Sequence, residues 1–425
     1  MPAGIRLRPA RAAAAALPAG ARVVLGSGCG TPLTLAAALS EPDAPPVHLY
    51  GGLLLGDHPF LSRARDPADP FSFTTWHPTR AVEQDIAGGA VRFIPLRATA
   101  APDFLRSERV TVALIRTTPP DRDGRCSLGP CGNYVASVVR WANVLIAEID
   151  DTLPVTCGDN AVDADRISLW CEAEQSAAEY VSAAPTDVSQ TIAGRLIELL
   201  PGEPTLQIGI GAVPSALLAR LVATSTGAVS FVGMAVDAMV DMAEAGLLAA
   251  EAPGGAAIMT AELLGTRRLL DYADRNAQLA VHPVEVSMDV RELASRPRLV
   301  SVNSALQVDL YGQAAAETVG GRQIAGIGGS LEFAEAARLS DGGLRILALP
   351  ATARGGSLSR ISSSLGTEVV SGGRAAADFV VTEYGTADLR YADRDERRER
   401  LIAIAHPDHR DALLVQPAPW AAARC

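Results

Sequence analysis

At 425 residues, with 48% hydrophobic and 20% charged side chains, the chain has room for two or three domains and the apolar content to bury their cores. Its 37 basic residues are outnumbered by 48 acidic ones, a net charge of −11 with no block of like charge, so nucleic acid is not an expected partner. No apolar run reaches the roughly 20 residues of a membrane span, and residues 1–26 read as a short amphipathic alanine helix, not a signal peptide. A cytoplasmic protein without membrane contact is the expectation.

In chain order, short β-branched runs alternate with alanine- and leucine-rich stretches, which predicts α/β layers. The predicted strands are 22–25, 110–115, 144–149, 205–208, 345–349 and 379–382. The predicted helices are 33–39, 188–200, 216–222 and 236–245. A polar segment around Pro185 precedes the second helix, so the domains are placed at 1–184 and 185–425. Three segments echo one another across this boundary: 23–32 with 206–214, 113–124 with 348–356, and 144–148 with 380–383. Two copies of one α/β unit are therefore expected, with the active cleft between them.

All 37 basic residues are arginine. A Schiff-base lysine and a phosphate-loop lysine are thereby excluded from this chain, and a GC-rich coding sequence accounts for the bias. Cys29, Cys126, Cys131, Cys157, Cys171 and Cys425 show no CxxC pairing and read as buried small residues. His406 and His409 form an isolated HxxH, expected at a solvated helix start, and no metal site is expected.

Two glycine turns, Gly26-Ser-Gly28 and Gly209-Ile-Gly211, each follow a strand and precede a helix. Such a turn can present backbone N–H groups to an anion and let a ligand approach the main chain. Neither has the spacing of a dinucleotide fingerprint. A third loop, Ile324-Ala-Gly-Ile-Gly-Gly-Ser330, could present donors to a thioester oxygen or a phosphate, and Arg354 could pair with a phosphate or carboxylate.

These motifs resemble the acetyl-CoA hydrolase/transferase family, which includes 4-hydroxybutyrate, butyrate and succinate CoA-transferases. The resemblance runs from about Ala21 to about Leu414 and is densest in Leu206–Pro214, Asp237–Asp241, Val302–Gln313, Ile327–Phe333, Ala348–Gly356, Val380–Gly385 and Ile402–Asp408. It implies two related α/β domains with the active site in the cleft between them, usually in a homodimer. It further implies that coenzyme A is held as a substrate by Ile210, Gly211, Ala212, Val213 and Pro214, and by Gly328 and Gly329. Arg354 stands where the family has a cofactor-contacting lysine. No tightly bound cofactor is implied.

One departure changes the expected chemistry. Family transferases attack the acyl-CoA with a glutamate and form a glutamyl-CoA thioester, and Gly233 falls at that glutamate's position when Asp237 and Asp241 are used as anchors. A glycine cannot be the nucleophile. Gln307 and Ser330 also replace the usual Glu and Gln. Glu262 is the candidate substitute carboxylate, against a plainer reading as a surface or helix-cap residue. Asp237 and Asp241 read as structural.

The resulting expectation is acyl transfer from acyl-CoA, or an acyl-carrier thioester, to a bound small-molecule acceptor without a glutamyl-CoA intermediate, as in a biosynthetic enzyme. Conventional CoA transfer, acyl-CoA hydrolysis and a non-catalytic acyl-CoA-binding partner subunit are the alternatives.

Overall fold

A computed structural model describes residues 6–224, 227–250, 252 and 255–415. Its contacts group into two compact units, one of Met1–Val181, Gly233–Val240 and Gly254–Asp289, the other of Ser182–Val232, Asp241–Pro253 and Val290–Cys425. The boundary expected at 184/185 lies beside the first passage of the chain from one unit to the other. A single cut there does not represent the two later segments assigned to the first unit.

The first unit is built on a parallel sheet of β1 (Arg22–Leu25), β2 (His48–Gly51), β3 (Ser72–Thr75), β4 (Val91–Phe93), β5 (Val112–Thr117), β6 (Val144–Ile149) and β7 (Ile167–Glu172). The strand order is β7-β6-β5-β1-β2-β3-β4. Alternate residues face opposite sides of a strand, so Val23 and Leu25 join one apolar cluster and Val24 the other. Burial on both faces explains why these strands read as continuous apolar runs. Helix α1 (Ala10–Ala15), predicted from the alanine run, packs on α2 (Leu33–Ala38) with Ala13 and Ala14 buried. Helix α3 (Asn133–Val138) is buried along its whole length.

A buried ionic group pins α2 to this sheet. Arg116, on β5, lies 3.1 Å from Glu148 Oε1 and 2.7 Å from Asp150 Oδ2, and its side chain is fully buried. It also donates to the carbonyl oxygen of Gln175. Glu148 Oε2 accepts the N–H groups of Thr34 (2.8 Å) and Leu35 (3.0 Å), two donors that the first turn of α2 leaves without intrahelical partners.

The second unit begins with α4 (Asp187–Leu199), whose capping box joins Thr186 and Ser189. The chain continues through β8 (Thr205–Ile208), α5 (Ala212–Thr224), β9 (Ser230–Ala235), β10 (Ile258–Leu263), β11 (Leu279–Val281), β12 (Leu299–Asn303), α6 (Ser330–Leu339), β13 (Leu344–Ala348), β14 (Phe379–Thr382), β15 (Gly385–Asp388), α7 (Arg394–Ala403) and α8 (Pro407–Val415). In the second unit the strand order is β15-β14-β13-β12-β8 and then residues 230–232 of β9, whose residues 233–235 belong to the first unit, with β15 antiparallel to β14. Strands β10 and β11 pair in parallel in the first unit, where Gly132 N donates to Ala261 O (3.0 Å) and Leu263 N to Pro130 O (2.9 Å). A Cβ on Gly132 would stand 2.6 Å from His282 O, so only glycine permits this approach. No helix among the described residues is long and apolar enough to cross a membrane.

The topology confirms a shared α/β design and corrects how the segments correspond. In the first unit strand order reverses direction between β1 and β5; in the second it reverses between β8 and β12. Strand for strand, β1 therefore matches β8, β5 matches β12, β6 matches β13 and β7 matches β14. The first sequence echo agrees with this correspondence, and the other two are one strand out of step. Every parallel strand followed by a Gly- or Pro-containing turn looks alike in a short segment, so neighbours are easily confused.

Replacing Arg116 by alanine leaves two buried carboxylates without their cation. A loss of about 3–5 kcal/mol is expected. It should appear as a lower melting temperature in calorimetry, with the transition of the first unit affected.

Candidate functional site in the first unit

Strand β10 carries Glu262 into the interior, where the residue is 7% exposed. Its Oε1 lies 2.8 Å from Ser27 Oγ, in the turn after β1, and the side chain of Asn133 also hydrogen-bonds the carboxyl. An antiparallel bridge between Cys131 and Glu262 brings the Asn133 segment alongside. A Cβ on Gly28 would stand 2.1 Å from Oε1, and Gly28 has φ +56°, so the carboxyl rests directly on that glycine's backbone. Burial raises the Glu262 carboxyl from an ordinary 4.5 to about 7, against the opposing pull of Ser27 and Asn133. The surface or helix-cap reading of Glu262 is thus corrected. Met-Thr-Ala-Glu-Leu alternates as a half-exposed strand would, but both faces of β10 are covered.

Gly233 lies on β9 with φ +105°, a conformation that L side chains rarely adopt. One hydroxyl ties it to Glu262: Thr260 Oγ1 lies 2.9 Å from Gly233 O and 2.7 Å from Glu262 O, and accepts the N–H of Glu262 at 3.0 Å. Asp237 is structural, accepting from the backbone N–H and hydroxyl of Thr266.

Neighbouring thiols are not competing nucleophiles. Burial pushes Cys29 to about 12 and Cys131 well above its ordinary value, so neither ionises near neutrality. Cys126 and Cys171 are also buried, Cys157 is half-buried, and Cys425 lies outside the described residues.

The two look-alike glycine turns differ once folded. In the first unit, Gly26 N donates to Leu114 O (2.9 Å), Gly28 N to Leu53 O (2.7 Å) and Gly30 N to Ser27 O (3.0 Å). Those amides are committed to the protein, which corrects the expectation that this turn offers them to an anion. In the second unit no heavy atom lies within 4 Å of where a Cβ would project from Gly209 or Gly211, and Gly211 has φ +116°. Ile210 is exposed, and Ala212, Val213 and Pro214 open α5, the proline falling in the first turn where its missing N–H costs nothing.

The other expected binding residues also lie in the second unit. Gly328 (φ +60°) and Gly329 lead into α6, with Gly329 as its N-cap. Arg354 is exposed in the turn between Thr352–Ala353 and Leu358–Ser359. His409, on α8, lies with Nε2 2.9 Å from Gly356 O in the same turn, which gives one half of the HxxH a structural partner. No group of three metal-ligating side chains occurs among the described residues.

The family model for the acetyl-CoA hydrolase/transferase N-terminal domain matches residues 6–189, and that for the C-terminal domain matches residues 265–416. The chain belongs to the acetyl-CoA hydrolase/transferase family. It is 31% identical to a butyryl-CoA:acetate CoA-transferase of Anaerostipes caccae over 399 residues, covering 90% of this chain and 89% of the relative. It is 33% identical to a 4-hydroxybutyrate coenzyme A transferase of Clostridium kluyveri over 336 residues, covering 77% of this chain and 78% of the relative. Its fold is that of RipA from Yersinia pestis, with a TM-score of 0.88 at 23% identity over 96% of each chain. This acetyl-CoA hydrolase/transferase family member is therefore an enzyme of CoA-thioester chemistry.

Sequence reasoning missed Ser27 and Asn133. Ser27 was visible only as the middle of a glycine turn, and Asn133, at φ +30°, only as one polar residue in an apolar run. Neither is near Glu262 in the chain.

A carboxyl raised in the fold is a stability cost above its unfolded value. The unfolded chain ionises Glu262 near 4.5, whereas the folded one holds the proton to about 7. Its contribution therefore worsens as pH rises between those values and levels off above 7, a total of roughly 3 kcal/mol. Glu262→Gln should match wild type in thermal stability at pH 4.5 and exceed it by several degrees at pH 8 in parallel melting scans. In contrast, Gly28→Ala should melt lower at both, because its Cβ meets the carboxyl.

Proposed function

We propose that this enzyme transfers an acyl group from a CoA thioester directly to a bound small-molecule acceptor, with Glu262 as general base and no glutamyl-CoA intermediate. The observation that carries the reading is a buried carboxyl raised to about 7, on a residue whose main chain Thr260 joins to that of Gly233, the position where the family resemblance puts the nucleophile. A base is most useful when its ordinary working pH and its titration coincide, and such catalysis contributes about 10²–10⁴-fold.

In the step proposed, the acceptor's O–H or N–H proton passes to the Glu262 carboxylate as that atom attacks the thioester carbonyl. The tetrahedral intermediate then collapses, the C–S bond breaks, and the coenzyme A thiolate recovers the proton. The open Gly209–Gly211 turn, with Ala212, Val213 and Pro214, supports a coenzyme A contact there, together with Gly328, Gly329 and Arg354. Water in place of the acceptor gives hydrolysis by the same base, and the family's hydrolase members favour keeping that as the second reading.

Acetyl-, propionyl- and longer acyl-CoAs, supplied with amine, alcohol and carboxylate acceptors, test the proposal through free thiol release and product mass. Wild type should turn over without a borohydride-trappable thioester on the protein, and Glu262→Gln should lose about 10²–10⁴-fold in kcat. A trapped coenzyme A adduct on any glutamate of the wild type would replace this reading with conventional CoA transfer.

A further inference from the structure

We propose that Ser27 is a positioning residue that lets Glu262 exchange its proton, by reversing the direction of the hydrogen bond between them. The inference rests on the reading of Glu262 as the base. Its geometry is a small network, in which Ser27 Oγ lies 2.8 Å from Glu262 Oε1 and 3.1 Å from Leu53 O and also hydrogen-bonds the Tyr134 hydroxyl. A serine hydroxyl has one proton and two acceptor lone pairs, so it serves one of these partners as donor at a time.

Both protonation states of Glu262 are accommodated. With the carboxyl protonated, its O–H donates to Ser27 Oγ, and the serine proton goes to Leu53 O. With the carboxyl ionised, Ser27 turns its proton to Oε1, and Leu53 O keeps the N–H of Gly28 at 2.7 Å. No buried polar group is orphaned in either state, which avoids the usual penalty of about 1–3 kcal/mol for losing a partner.

The other donor cannot do this. Asn133 Oδ1 accepts the N–H of Val135 at 3.0 Å, which leaves the Asn133 amide N–H to face the carboxyl, and an amide nitrogen only donates. Asn133 therefore favours the ionised form without adapting to the neutral one.

Among the described residues, the three thiol and phenol groups coupled to Glu262 are neutral near pH 7. Cys29 stands in the same turn as Ser27; Cys131 and Tyr134 come from the segment entering and forming α3. Tyr134 donates its hydroxyl proton to Leu25 O at 2.8 Å, so toward Ser27 its oxygen only accepts, as it does from Gly52 N at 3.1 Å. Ser27 itself is 1% exposed, and its carbonyl is held by Gly30 N at 3.0 Å, so its main chain is anchored while the hydroxyl proton stays free to turn between buried partners.

The test is a carbon-13 NMR titration of the full chain labelled at the glutamate carboxyl carbon, with Glu262 assigned by its absence in Glu262→Gln. Wild type should titrate near 7. Ser27→Ala removes the donor to the ionised form and should make Glu262 about tenfold more resistant to ionisation. Ser27→Cys, nearly isosteric with a weak donor, should move in the same direction, which covers the case where the alanine variant does not fold. Ser27→Thr keeps a hydroxyl and should stay close to wild type. Ser27→Ala or Ser27→Cys titrating at or below wild type, or Ser27→Thr following the alanine variant, would overturn the inference.

A kinetic arm separates the two claims. If Glu262 is the base, the acid limb of kcat/KM should move with the NMR midpoint in each variant while KM for acyl-CoA holds. An NMR shift with an unmoved rate profile would support the relay and remove Glu262 from the base role. A shifted rate profile with an unmoved NMR midpoint would reject the relay.

Discussion

The carboxyl of Glu262 rests on the backbone of Gly28, and that close approach sets the terms for the rest of the site in the first unit. A Cβ there would occupy the space of Oε1. Because the carboxyl is taken out of water, its charge must be supported by the few donors the fold supplies, Ser27 and Asn133. Those two residues arrive on different segments, one at the end of β1 and one at the start of α3. The position of a single oxygen thus depends on the sheet and on the loop that carries Cys131 to Glu262.

The strand order gives that constraint its location. In the first unit the direction of strand addition reverses beside β1, and in the second beside β8; crevices at such reversals are where open α/β sheets bind ligands. The two turns at these places have diverged in what they do with their amides. Gly26–Gly30 turns inward, each alternate amide bonded to a carbonyl of the protein, and packs against the carboxyl. Gly209–Gly211 leaves the space beyond its α-carbons open. A shared design has been used once to hold a side chain and once to leave the main chain approachable.

Strand and helix placement was legible because each rests on local patterning. All six predicted strands appear within two residues at either end, and α1 formed from the alanine run. Helix α5 starts four residues earlier than predicted, at Ala212, since Pro214 is tolerated within a first turn and does not mark its beginning. The family was legible too, from motifs distributed along nearly the whole chain. The correspondence between the halves was only partly readable, because successive strand-turn units share one local grammar.

The sequence by itself determined the absence of lysine chemistry, the α/β class and the family. Only the tertiary structure decided that Glu262 is buried, that Ser27 touches it across 235 positions of chain, and that one glycine turn is closed and the other open. The reason is physical: residue identity states what a group can donate or accept, whereas its charge state and its reach depend on desolvation and on partners that the chain brings from far away.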